Sequence, residues 1–145
     1  MPFINVWIHY VWSTKERQPF LSPSIRVRVF AHIRENAFAK GIHLDFINGG
    51  MDHAHALVSL GADQTIAKIA HLLKGESSHW INTEGLVPAE FSWQSEYFAA
   101  SVDPAGVNQV RNYIRNQEEH HRRKTYDEEY QEFIDTFGLT RIIGG

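Results

Sequence analysis

The spacing of apolar positions changes along the chain from every second residue to every fourth and back, and each change marks an element. "FINVWIHYVW", from Phe3 to Trp12, is rich in alternating aromatic and aliphatic residues and predicts a first strand. "TKERQPFLSP" then forms a polar connection carrying two prolines. Between Ser24 and Lys40, Ile25, Val29, Ile33 and Ala37 recur every four residues with Phe30 and Phe38 beside them, which predicts an amphipathic helix closed by Gly41. "IHLDFIN" predicts a second strand, Gly49 and Gly50 a turn or bulge, and "HAHALVSL" a third strand. Gly61 ends that strand, and Asp63 is the expected cap of a helix carrying Ile66, Ile69, Leu72 and Leu73, which Gly75 either interrupts or lets through. "WQSEYFAASV" predicts a fourth strand. Asp103 and Pro104 have the form of a helix start, and Val107, Val110 and Ile114 give the next helix its apolar stripe. A last, mostly acidic helix is expected from about Asp127 to Phe137.

Strand–helix–strand occurs twice in this order, which predicts an α+β fold of the split βαβ, ferredoxin-like kind. Its antiparallel sheet would carry helices on one face, with additional C-terminal helices after the fourth strand. A single domain over residues 1–145 is expected, since that length buries a core without disulfides. In the third strand His53 and His55 point to one face while Ala54, Ala56 and Val58 point to the other. The alanines and the valine would pack under the helices, leaving the histidines on a face open to a ligand or another chain.

Composition narrows the chemistry. The chain has no cysteine, which excludes thiol catalysis, disulfides and cysteine-ligated metal and fits a reducing, cytoplasmic setting. No apolar run approaches the roughly 20 residues of a membrane span, and the first residues lack the features of a signal peptide. A soluble cytoplasmic protein without membrane contact is therefore expected. The formal net charge of −3 counts mildly against a non-specific nucleic-acid binder, although a local basic face remains compatible with it.

Two imidazoles on one strand face make half of a metal site, and a divalent ion needs at least one further protein ligand. The segment "VRNYIRNQEEHH" supplies Tyr113 and Gln117 four residues apart, on one face of the expected helix. Gln117 offers a neutral oxygen ligand. Tyr113 offers a nucleophile, weak while protonated at its ordinary pKa of about 10, and helped when a metal polarises the phosphate it attacks.

At these residues the chain resembles the small single-tyrosine HUH transposases of bacterial insertion sequences, an IS200-like family that includes repeat-associated tyrosine transposases. Five stretches carry the resemblance in order: "HYVWSTKERQPFL", "DHAHALVSL", "IAKIAHLLKGESSHWI", "WQSEYFAASV" and "VRNYIRNQEEHH". The resemblance implies cutting and rejoining of single-stranded DNA through a 5′-phosphotyrosine intermediate, in a bacterial cytoplasm. It implies His53, His55 and Gln117 as ligands of magnesium, with manganese able to substitute, and Tyr113 as the catalytic nucleophile. It also implies a homodimer and recognition of DNA hairpins near element ends. Two positions depart from the family pattern: Ala54 stands where valine is usual, and Glu76 where a basic residue is common.

For DNA contact, Arg111 and Arg115 flank Tyr113, Arg122 and Arg123 follow, and Lys15, Arg17 and Lys74 are further candidates, each also readable as ordinary solvated charge. Trp12, Trp93 and Tyr97 could stack on unpaired bases or belong to the core. Tyr126 and Tyr130 mimic a twin-tyrosine pair but lie in an acidic surround, and adjacent His120 and His121 point about 100° apart on a helix, which suits joint ligation poorly. His9 on the first strand has no assigned role. The alternatives are an inactive hairpin-DNA-binding module and an unrelated ferredoxin-like metal-binding enzyme.

Overall fold

A computed structural model describes residues 2–117 together with Glu128 and Gln131. Four strands, β1 (Trp7–Ser13), β2 (His43–Gly49), β3 (His53–Ser59) and β4 (Phe98–Val102), form one antiparallel sheet in the order β2-β3-β1-β4. Helix α1 (Pro23–Ala39) joins β1 to β2, and α2 (Ile66–Glu84) joins β3 to β4. This is the expected split βαβ arrangement. A third helix, α3 (Val107–Arg115), follows β4 through a 3₁₀ turn at Pro104–Gly106. The expected helix from about Asp127 to Phe137, with Arg122, Arg123, His120, His121, Tyr126 and Tyr130, lies outside the described residues, apart from Glu128 and Gln131.

Strand periodicity sorts the side chains onto two faces. On one face Ile8, Tyr10 and Trp12 of β1 join Ala54, Ala56 and Val58 of β3 in the main core under α1 and α2. Ala54 is fully buried there. Trp12 and Trp93 pack edge to face, with ring centroids 5.9 Å apart, so both are core residues. On the other face Leu57, Val102, Val107 and Ile114 form a smaller cluster beneath α3.

Several element boundaries differ from the expectation. The α2 cap is Thr65, whose hydroxyl accepts from the Lys68 N–H, rather than Asp63. The helix runs unbroken through Gly75 and stops at Gly85, which takes the left-handed conformation (φ 63°) that terminates helices. In β4 the paired residues begin at Phe98, while Trp93 makes only an isolated bridge to Thr14. Asn82 explains part of this: its side chain bonds both the N–H and the C=O of Phe91, at 2.7 and 2.8 Å, tying the approach to β4 down onto α2. Glu76 turns to α1, where His32 Nε2 lies 2.8 Å from its carboxylate and the His32 ring stacks on Trp80.

The β2–β3 connection is tight. A Cβ at Gly49 would collide with the His53 carbonyl oxygen, so this position excludes any side chain. Further back, the β2 register slips between Leu44 and Phe46, leaving Asp45 as an extra residue. Leu44 belongs to the α1–α2 face, whereas Phe46 packs with the α3 cluster. The bulge thus turns the edge strand toward the third helix.

Candidate active site

The site is built on the two central strands and α3. In the β1–β3 ladder His53 lies opposite Ser13, His55 opposite Val11 and Leu57 opposite His9. Residues opposite one another in a sheet share a face, so His9, His53 and His55 all point toward α3. The histidines are not left on an open face, as the fold class alone suggested. The chain's own α3 covers them, and His9, His53, His55 and Gln117 are each at most 2 % exposed.

Three contacts from β2 fix α3 in place. Arg111 grips Asp45 through two hydrogen bonds, Nε to Oδ2 at 2.8 Å and Nη2 to Oδ1 at 3.1 Å. That carboxylate raises the Arg111 pKa further above its ordinary value. Asn48 Nδ2 donates to the Arg115 carbonyl oxygen at 3.2 Å, meeting a backbone acceptor at the helix end. The Arg115 guanidinium lies 5.4 Å from the centre of the Phe46 ring. The bulge at Asp45 therefore has a clear structural use: it presents an ion-pair partner and an aromatic ring to the same helix.

So held, α3 brings Tyr113 against the histidines. Its ring meets His55 edge to face at 5.7 Å between centroids and His9 at 6.2 Å. One turn later, Gln117 Oε1 is 3.2 Å from His53 Nε2, while its Nε2 donates to the Tyr113 carbonyl oxygen at 3.3 Å. All four residues singled out by the HUH resemblance, His53, His55, Tyr113 and Gln117, thus converge in one place. Within this one chain, the tyrosine helix rests on its own histidine pair.

The donor set can be tested for a cation. Asp52 Oδ1 sits 3.0 Å from His53 Nδ1, and a carboxylate only accepts, so Nδ1 carries the proton. A neutral His53 then turns a lone pair at Nε2 toward the Gln117 carbonyl oxygen, itself an acceptor. Two buried acceptors face each other across 3.2 Å, an arrangement that a cation relieves: a second ring proton or a metal ion. The separation is close to that of neighbouring ligands sharing one small ion at roughly 2.1 Å. Among the described residues no group of three or more His, Asp or Glu side chains could hold a metal, so a metal here needs the amide oxygen of Gln117. The residues present fit such an ion.

The basic candidates are distributed unevenly. Arg111 is engaged with Asp45, and Arg115 is exposed with Nη1 bonded to Asn112. Lys15 and Arg17 lie in an exposed 3₁₀ turn, Lys15–Arg17. Lys74 lies on the opposite side of the sheet, where its Nζ donates to the carbonyls of Ser95 and Glu96 and sits 5.6 Å from the centre of the Tyr97 ring. Burial lowers its pKa. Sequence reasoning missed Asp45, Asn48 and His9 as parts of the site. His9 shares its parity with Val11 and Ser13, the β1 residues opposite His55 and His53, a signal that becomes readable only with the β1–β3 register.

A ferredoxin-like sheet carrying a paired-histidine strand, with Tyr113 on a helix laid across it and Gln117 just past that helix, matches the arrangement that the HUH resemblance implies. The chain belongs to the family described as "Transposase IS200 like", whose profile matches residues 3–117. Two solved structures share the fold. One is a candidate transposase from Deinococcus radiodurans R1, 21 % identical over 80 % of this chain and 93 % of that one, with a TM-score of 0.64. The other is a REP-associated tyrosine transposase bound to a REP hairpin, 13 % identical over 83 % of this chain and 72 % of that one, with a TM-score of 0.60. No curated protein sequence matches the chain at a significant level. Among the described residues no helix is long and apolar enough to cross a membrane.

Proposed function

We propose that the chain is a metal-dependent transposase that cuts and rejoins single-stranded DNA, with Tyr113 as nucleophile and His53, His55 and Gln117 as ligands of Mg²⁺, for which Mn²⁺ can substitute. The observation that carries this reading is the packing of Tyr113 against His55 on α3, with Gln117, just past the end of that helix, set on His53. When bound, the ion would supply Lewis-acid polarisation of the scissile phosphate. The protein's own residues do the rest. Tyr113 loses its proton to solvent and its phenolic oxygen forms a bond to phosphorus. The bond from phosphorus to the 3′ oxygen breaks, and that oxygen leaves with a proton as a free 3′ hydroxyl. The DNA stays joined to Tyr113 through its 5′ phosphate, and attack by a 3′ hydroxyl on that link reverses the chemistry and joins strands. Asp45 and Asn48 keep α3 docked, which keeps the nucleophile oriented, a contribution that can be large for a well-aligned attack.

The DNA partner would be single-stranded with hairpin ends, and the working form a homodimer, both in keeping with the family. The solved relative bound to a REP hairpin supports the hairpin reading.

The test is a denaturing gel after incubation with labelled single-stranded DNA from the flanks of the gene. It includes Mg²⁺ or Mn²⁺, an EDTA control and the Tyr113→Phe variant. A metal-dependent, protein-sized adduct at the 5′ side of the cut, absent from the variant, is expected. Hairpin binding with bound metal but no adduct would instead identify an inactive binding module, and an adduct that survives Tyr113→Phe would move the nucleophile elsewhere.

A further inference from the structure

His9 occupies the site without belonging to the HUH pair. It lies on β1 opposite Leu57, hence diagonal to His55 on the same face, where long side chains reach one another. Its Nε2 is 2.9 Å from His55 Nδ1, with the two rings tilted by 35°, and it is 2 % exposed. Two nitrogens at that distance share one proton. If His9 donates it, a neutral His55 keeps its own proton on Nε2 and offers no lone pair to a cation. If His55 donates it, Nε2 of His55 is left as the lone-pair nitrogen, and His9 is the acceptor that selects this tautomer.

We infer that His9 is a positioning residue that holds His55 as the Nδ1–H tautomer, so that its Nε2 is the nitrogen offered to the metal. The arrangement parallels Asp52 on His53, whose Nδ1 is held by a carboxylate at 3.0 Å. Each ligand imidazole thus has its own acceptor behind it, one charged and one neutral. Acceptors behind metal-binding imidazoles fix ring orientation and tautomer, and their loss typically costs roughly 10–100-fold in metal affinity. His9 also abuts the Tyr113 ring, so one side chain steadies both the ligand and the edge of the nucleophile.

The inference rests on the metal reading above, and two measurements keep the two separate. The first is the His55 tautomer, read from ¹⁵N chemical shifts of the metal-free wild-type chain. The Nδ1–H form is expected, and the Nε2–H form would overturn the role of His9 whatever the metal result. The second is Mn²⁺ titration by calorimetry of wild type, His9→Leu and His9→Gln, with folding checked by circular dichroism. His9→Leu should weaken binding by roughly 10–100-fold. His9→Gln, whose amide oxygen can accept the same proton, should recover most of it. Equal affinity in wild type and His9→Leu would overturn the proposal, as would a His9→Gln chain that folds but binds as weakly as His9→Leu. Should His9→Leu fail to fold, the wild-type tautomer and His9→Gln still decide. A wild-type chain that binds no Mn²⁺ would remove the metal reading, while the tautomer would still report whether His9 orders His55.

Discussion

Gln117 Oε1 faces His53 Nε2 across 3.2 Å in a fully buried setting, and neither atom can donate to the other while His53 is neutral with its proton on Nδ1. Replacing Gln117 by Leu removes one acceptor and with it the proposed third ligand. Mn²⁺ affinity should fall by more than the roughly 10–100-fold typical of an outer-shell change. Calorimetric titration of Gln117→Leu beside wild type measures it. Loss of metal with unchanged hairpin binding is the expected pattern.

Tyr113→Phe keeps the ring that packs edge to face on His55 and His9 and removes only the hydroxyl. Thermal unfolding should differ from wild type by less than about 1 kcal/mol, within the usual range of a mild substitution. The covalent DNA adduct should vanish completely. A variant that loses both stability and cleavage would show the hydroxyl to be structural.

Arg111 and Arg115 should separate in DNA binding. Arg111 is committed to Asp45, a solvent-screened pair that adds little to stability. Its removal should loosen α3 slightly and leave the salt dependence of single-stranded DNA binding nearly unchanged. Arg115→Ala should lower the magnitude of that salt slope by about one if the exposed guanidinium meets a phosphate. Binding isotherms at several salt concentrations distinguish the two.

Tyr10 predicts the alkaline behaviour of the fold. Its hydroxyl donates to the Ile66 carbonyl at 2.9 Å, and burial, with a smaller contribution from Tyr97, raises its pKa well above the ordinary value. An acid whose folded pKa is raised holds its proton longer in the folded state. Its stabilising contribution is fully present below the unfolded value of about 10 and is lost progressively as pH rises beyond that. Tyr10→Phe should cost about 1 kcal/mol at neutral pH through the lost hydrogen bond. It should also flatten the alkaline decline, which denaturant unfolding at pH 8 to 11 would record.

Much of this was legible because it depends on periodicity. The parity of His53, Ala54, His55 and Ala56 predicts which residues face the core, and the four-residue spacing of Tyr113 and Gln117 predicts that both reach the same site, although α3 ends at Arg115 and Gln117 follows its C-cap. What lay hidden depends on partners distant in sequence. Nothing local announces that Asp45 is the extra residue of a bulge, because a bulge is defined only by the register of the strand beside it. His9 could not be placed until β1 was known to pair with β3. Asp63 looked the better cap, yet Thr65 took that role. The extent of β4 was overestimated because Trp93 and Tyr97 carry strand-like residue types but are held by α2 instead.

The turn at Gly49 offers a compact check on how tightly the histidine strand is seated. A methyl group there meets the His53 carbonyl, so Gly49→Ala should destabilise the fold by about 1–3 kcal/mol. It should weaken Mn²⁺ binding as well, whereas Gly75→Ala, in open space on α2, should do neither.

Tyr113 and Gln117 ride on the same stretch of backbone, which the sheet holds through a small apolar cluster, the Arg111–Asp45 pair, the Asn48 amide and the stacking of Arg115 on Phe46. Lifting that stretch would withdraw the proposed nucleophile and the proposed third ligand in a single motion. The bare histidine pair would then be exposed with no nucleophile near it. The two side chains are therefore placed together or withdrawn together, so on the proposed function firm metal binding and supply of the nucleophile would be gained and lost as one.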